Sequence, residues 1–270
     1  DWAYMLAEVQ ECFINIAREI AKRELLLIVT PEPEEVKKQI AATVNMNNVR
    51  FLECATNDTW ARDHGAITMI DTGTPSLLDF TFNGWGLKFA SELDNQITKQ
   101  AVEAGALKGQ YIDRLDFVLE GGSIESDGMG TLLTTSECLL SPQRNGRLNQ
   151  VEIEEYLKST FHLQKVLWLD HGYLAGDDTD SHIDTLVRFC STDTIAYVKC
   201  DDKEDEHYEA LLAMEEQLKT FCTLAGEPSP VSLTDGGQDR RRRRTPARNL
   251  RQLPDYERSY SLPDIPSAGK

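Results

Sequence analysis

Long apolar runs are missing from this chain of 270 residues. The longest aliphatic stretch, Leu25 to Val29, is strand-sized, far short of the ~20 residues that a membrane helix needs, so no spanning segment and no membrane partner is expected. Phosphate loops are missing as well. Neither G-x-x-x-x-G-K-[ST] nor G-x-G-x-x-G occurs, and no cofactor is expected. The six cysteines, Cys12, Cys54, Cys138, Cys190, Cys200 and Cys222, form no C-x-x-C and no His/Cys cluster with zinc spacing. Most have apolar neighbours, as buried free thiols do, and Cys138 and Cys190 read as core residues. Reduced thiols point to a cytoplasmic location. The chain opens at Asp1 without Met or a signal-type segment, and so reads as a processed chain or a fragment.

Basic residues are scarce: 28 Lys+Arg stand against 45 Asp+Glu, a net charge of −17. The imbalance is uneven. Residues 235–270 carry 9 basic and 5 acidic side chains, or +4, which leaves −21 on the other 234 residues. An acidic body repels phosphate backbones, so no nucleic-acid partner is expected, whereas a small cationic substrate suits it. A homo-oligomer is compatible with this composition.

What is present alternates between short helices and strands. Leu6, Val9, Phe13, Ile16 and Ile20 recur at helical spacing, followed by the buried-strand run Leu25 to Val29. Pro31 and Pro33 open a second helix with Val36, Ile40 and Val44 on one stripe, and Val49 to Cys54 reads as a strand. Further strands are expected at 66–70, 77–82, 117–119, 130–135, 166–169, 186–189 and 195–198. Helices are expected at 93–104, 150–158 and 204–224. This is a mixed α/β pattern. From about Val231 it dissolves. Arg240 to Arg244 is an unbroken arginine run and four prolines follow, so 235–270 reads as an irregular basic tail behind a 1–234 body.

Four clusters could carry chemistry. In Thr56 to Gly65, Trp60 and two aspartates could hold a planar cation by stacking and charge pairing. Phe82-Asn83-Gly84-Trp85-Gly86 reads as a tight turn or a pocket wall. Leu119-Glu120-Gly121-Gly122 through Gly130 reads as a β-hairpin with a glycine-rich turn. In Gly176 to Asp184, an Asp180-x-His182-x-Asp184 alternation on an extended segment would place the three on one face, as an acid/base histidine with carboxylates. A divalent-metal reading through Asp177 to Asp184 and His171 is the minor alternative, and a calcium loop is excluded by spacing.

Jointly, N-D-T-W-A-R-D-H-G, F-N-G-W-G-x-K-F, L-E-G-G-S-I-E-x-D-G-x-G-T-L-L-T-T, C-L-L-x-x-x-R-N and D-D-T-D-S-H-I-D resemble the agmatine deiminase and bacterial-type peptidylarginine deiminase family of the pentein superfamily. That resemblance implies a five-bladed α/β propeller of repeated ββαβ-like units, incomplete in this chain. It also implies hydrolysis of a guanidinium to a ureido group and ammonia through a cysteine-linked amidino intermediate. Carried over by motif, Asp63 and Asp184 clamp the guanidinium, His182 transfers protons and Trp60 walls the pocket. Asp178 and Asp180 lie beside the substrate, Glu120 supports the site, and no metal is implied. The family's nucleophile belongs to a C-terminal Gly-rich segment ending in His-Cys, preceded by P-A-x-Y-x-N-F; neither pattern is present. The expectation is therefore an inactive chain lacking its last blades, with 235–270 produced by truncation or a shifted reading frame. A non-catalytic guanidinium-binding protein is the alternative.

Overall fold

A computed structural model describes residues 3–70 and 73–226. The proposed basic tail lies outside the described residues. The architecture is mixed α/β, built from one motif used repeatedly. Strand β3 (Ile67–Met69) runs antiparallel to β4 (Ser76–Thr81), a helix (Ile97–Glu103) crosses over, and β5 (Gln110–Val118) returns parallel to β4. The next unit repeats this: β6 (Ile124–Ser126) antiparallel to β7 (Thr131–Thr135), helix Gln150–Phe161, then β8 (Lys165–Leu169) parallel to β7. A third begins with antiparallel β9 (Val187–Phe189) and β10 (Ile195–Tyr197), followed by helix Tyr208–Leu218. The chain's first sheet holds only the parallel half, β1 (Leu26–Thr30) and β2 (Val49–Glu53), around helix Pro33–Ile40. Parallel neighbours need a crossover of this kind, which is why each such pair carries a helix.

The ββαβ-like units are thus present although no sequence repeat betrays them. Their cores form between neighbours: each of the two largest apolar clusters takes residues from two successive units. One gathers Leu78, Phe80, Phe117, Leu139, Ile153 and Leu157, and another Leu169, Ile183, Leu186, Leu211, Met214 and Leu218. Local chemistry starts the helices where the sequence asks. Asn149 and Glu152 form a reciprocal capping box before Gln150, and Pro33 sits at the first turn of its helix.

Four expectations are corrected. The stripe that predicts the first helix (Leu6–Ala21) does not face the core: Leu6, Phe13, Ile16 and Ile20 stand 37–51% exposed. Ala17 and Ala21 pack against the sheet instead, because their small side chains let the helix lie close to it. Cys190 is exposed just after β9, whereas Cys54, Cys138 and Cys200 are buried. The last helix ends at Leu218, not Leu224. The hairpin of the third cluster turns at Asp127–Gly130, so Gly121 and Gly122 stand before it and are free for another role.

Candidate functional site

Three segments entering successive units meet at one place. They are the short helix Ala61–His64 before β3, the 3-10 turn Gly121–Ser123 before β6, and the short helix Ile183–Leu186 before β9. Each is one turn long, so it ends a unit boundary without spanning it and points side chains across the junction. Glycine allows the approach. A Cβ on Gly121 would lie 2.0 Å from the Arg62 carbonyl oxygen. A Cβ on Gly122 would lie 2.6 Å from His182 Nδ1, 2.7 Å from Asp63 Oδ1 and 2.8 Å from Asp184 Oδ2. The same arrangement draws Asp63, His182 and Asp184 together from positions far apart in sequence.

Asp63 is held from two sides. The Gly122 amide donates to Oδ1 at 3.0 Å and the Trp85 indole Nε1 donates to Oδ2 at 3.0 Å. Trp85 reaches this position through a left-handed turn in which Gly84, Trp85, Gly86 and Leu87 all have positive φ. Phe82 and Phe89 pack edge-on against its ring. The Phe82–Gly86 motif is therefore a tight turn and a site wall at once. Trp85, Gly122 and Arg144 are the residues that sequence reasoning left without a role. Two glycines flanking a tryptophan was the available signal for the first.

His182 is 2% exposed. Its Nδ1 lies 3.6 Å from Asp63 Oδ1, and its Nε2 is buried with no hydrogen-bond partner. The segment before it is not extended. Asp180 and Ser181 both adopt left-handed backbone (φ 64° and 59°), which breaks the expected one-face alternation and turns Asp180 away from His182 and Asp184. Asp177 holds this turn by accepting from the Thr179 and Ser181 amides.

The acids of the site fall into two groups. Glu120 is fully buried, and both its oxygens accept from Arg144 Nε at 3.0 and 2.9 Å. Asp180 accepts from Lys88 Nζ at 2.5 Å and from Arg144 Nη1 at 2.6 Å. Asp63 and Asp184 differ: among the described residues neither forms an ion pair with lysine or arginine. Burial pushes both carboxyls up to about 6, even though Trp85 and Gly122 oppose the rise at Asp63, and Arg188 and Arg62 oppose it at Asp184. Burial also holds His182 neutral, down to about 3, and the nearby Arg144 charge adds to this. Asp178 is exposed, with its carbonyl accepting from Lys88 Nζ, and Trp60 is 41% exposed at the edge of the cluster.

A metal fits poorly. Glu120, Cys138 and His182 offer ligand atoms within 4.8 Å of one another, but Arg144 already places a cation on Glu120. In the acidic loop, Asp177 is occupied by amides and Asp180 by two cations. Two unneutralised, buried carboxylates beside a neutral imidazole instead suit an organic cation with planar N–H donors.

A family model for Porphyromonas-type peptidyl-arginine deiminase matches residues 1–248. The chain belongs to that family. A Porphyromonas gingivalis structure assigned as an arginine deiminase is 46% identical with a TM-score of 0.80, over 86% of this chain and 69% of that one. A cysteine-to-serine variant of C. jejuni agmatine deiminase, solved with substrate bound, is 40% identical with a TM-score of 0.76, over 86% of this chain and 66% of that one. A Listeria monocytogenes protein assigned as an agmatine deiminase is 36% identical over 217 residues. This match takes in 77% of the present chain and 57% of the Listeria protein, so the chain spans less than two thirds of that relative's length. The fold is thus the mixed α/β fold of the pentein deiminases, as the motifs imply. Among the described residues, no helix of this family member is long and apolar enough to cross a membrane.

Proposed function

We propose that this chain carries the guanidinium-binding site of a deiminase that converts agmatine to its ureido product and ammonia. The observation that carries the reading is the pair Asp63 and Asp184, buried without a cationic partner while neighbouring Glu120 and Asp180 are neutralised. Burying two carboxylates unpaired is costly, and a bound guanidinium removes that cost. Asp63 and Asp184 grip its N–H groups, Trp60 walls the pocket and Asp178 lies at its rim. His182, neutral in the empty site, can take the proton of an attacking thiol, hand it to departing ammonia, and then take one from the water that cleaves the thioether. Glu120 and Asp180 support that histidine rather than the substrate.

The reaction needs a thiolate that attacks the guanidinium carbon, expels ammonia, and leaves an amidino-thioether that water cleaves. A relative was captured with substrate once a cysteine was replaced by serine, which fits such a step. No cysteine here supplies it. Cys138 lies beside Glu120 and His182 but is fully buried, and burial pushes its thiol well above its ordinary range. The chain by itself therefore binds without turning over. Agmatine is favoured over peptidyl-arginine because a second positive end gains from the acidic body. Arg144 and Arg188, beside the pocket, are already committed to Glu120, Asp180 and Glu125, so neither is available for a peptide carboxylate.

Calorimetry with agmatine and with arginine, run beside an ammonia assay, tests this. Agmatine binding without ammonia is the expected result. Ammonia release by the purified chain would overturn the account of the nucleophile, and absence of binding by either ligand would overturn the pocket.

A further inference from the structure

The C-L-L-x-x-x-R-N motif has no part in the mechanism above, yet its members surround the site. Cys138 and Leu139 fill the core, and Asn145 brackets the end of β5 by accepting from the Val118 amide and donating to the Val118 carbonyl. Arg144, one residue earlier, is buried in the short helix Pro142–Asn145. Its guanidinium uses every nitrogen: Nε on both Glu120 oxygens, Nη1 on Asp180 Oδ2 at 2.6 Å, and Nη2 on the Thr179 carbonyl at 2.9 Å. One side chain thus joins the segment entering β6 to the loop that delivers His182.

We propose that Arg144 is a positioning residue for His182, fixing the Thr179–Ser181 turn against Glu120 so that the imidazole sits beside Asp63. The turn needs such a hold. Two consecutive non-glycine residues in left-handed backbone are both strained, so Asp180 and Ser181 relax unless side chains retain them. His182 follows directly, and any relaxation carries it along. Arg144 also acts on the ring through charge, together with Arg62 and Lys88, against Asp180 and the facing Asp63 and Asp184. Charge and geometry can be told apart, because lysine keeps the first and cannot reproduce a three-way fork.

The inference rests on the guanidinium-site reading, but one of its two readouts does not. The test uses the whole chain and the variants Arg144→Lys, Arg144→Met and Asp180→Asn. His182 ring resonances are followed by NMR through an acid titration, and agmatine affinity is measured by calorimetry. In the parent the ring should stay neutral through mildly acidic solution. Arg144→Met should move its titration upward and shift its resonances. Arg144→Lys should leave the titration near the parent's while shifting the resonances and weakening agmatine at least several-fold. Asp180→Asn, a milder change at a partly exposed carboxylate, should weaken agmatine several-fold and keep cooperative unfolding. Unchanged ring resonances and affinities within twofold of the parent in the variants that fold would overturn the proposal. If Arg144→Met does not fold, the other two decide. If the parent binds no agmatine, the pocket reading fails and the ring resonances still decide the role of Arg144.

Discussion

Replacing Gly122 by alanine should damage the site more than any comparably small change. The new methyl would meet His182 Nδ1, Asp63 Oδ1 and Asp184 Oδ2 at 2.6, 2.7 and 2.8 Å, all under the 3.0 Å that real Cβ atoms keep. These neighbours must retreat by roughly 0.6–0.8 Å to reach ordinary contact at 3.4 Å. Two of the three cannot retreat freely: Asp63 is tied to Trp85 and Gly122, and His182 is 2% exposed. Backbone strain plays no part, because Gly122 is not among the positive-φ residues. Overpacking of this kind costs about 1–3 kcal/mol of stability. The larger effect falls on binding. A misplacement of about 1 Å costs a reacting pair about a hundredfold in rate, and a carboxylate clamp pushed out of line by a similar distance should lose at least about tenfold in agmatine affinity. Calorimetry with Gly122→Ala and a Gly128→Ala control measures this. Gly128 has φ +69° and nothing within 4 Å, so its alanine variant should lose comparable stability and keep the parent's affinity. A Gly122→Ala chain that binds agmatine like the parent would refute the reasoning.

Other outcomes follow from the same geometry. Asp63 and Asp184 hold protons up to about 6 in the folded chain, against 3.8 ordinarily, so folding favours their neutral forms. Stability from these groups therefore falls as pH rises from about 4 to about 6, and a cation that needs both ionised should bind more tightly as pH climbs through about 6. Calorimetry across that range checks the slope, and Asp63→Asn should reduce it. Trp85→Phe removes the indole donor to Asp63 and should cost about 1–2 kcal/mol in denaturant unfolding while raising the Asp63 carboxyl further. Leu157→Ala, at a fully buried site, should cost about 2–5 kcal/mol, whereas Leu6→Ser, on the exposed helix face, should stay within about 0.5 kcal/mol in thermal melts.

Much of this was legible in the sequence. Strands such as Val49–Glu53 and Lys165–Leu169 announce themselves because a short apolar run bounded by polar residues has few other places to go. The density of acids around His182 likewise marks a site. What a linear reading does not reveal is which acids are already spent. Glu120 and Asp180 lie 24 and 36 residues from the arginine that neutralises them, and nothing local distinguishes them from Asp63 or Asp184. The left-handed backbone at Asp180 and Ser181 was invisible too, since neither is glycine and tertiary contacts enforce it. Helical spacing found the Leu6–Ala21 helix but misjudged its inner face, because alanines rather than large apolar residues make the close contact.

Among the described residues the four small sheets share no strands; apolar clusters bridge neighbouring units, and polar contacts join them where the site residues meet. Asp63 on the Gly122 amide, Thr135 on the Ser181 carbonyl, Arg144 across to Thr179 and Asp180, and Glu125 on the Phe189 amide are the stitches of one seam. Selection on folding and selection on chemistry therefore act on overlapping residues. A descendant that had lost turnover would still be penalised for discarding these side chains, because the seam would open. Within this architecture, an intact set of site residues records a fold that closes, and only a measurement of product records an enzyme that works.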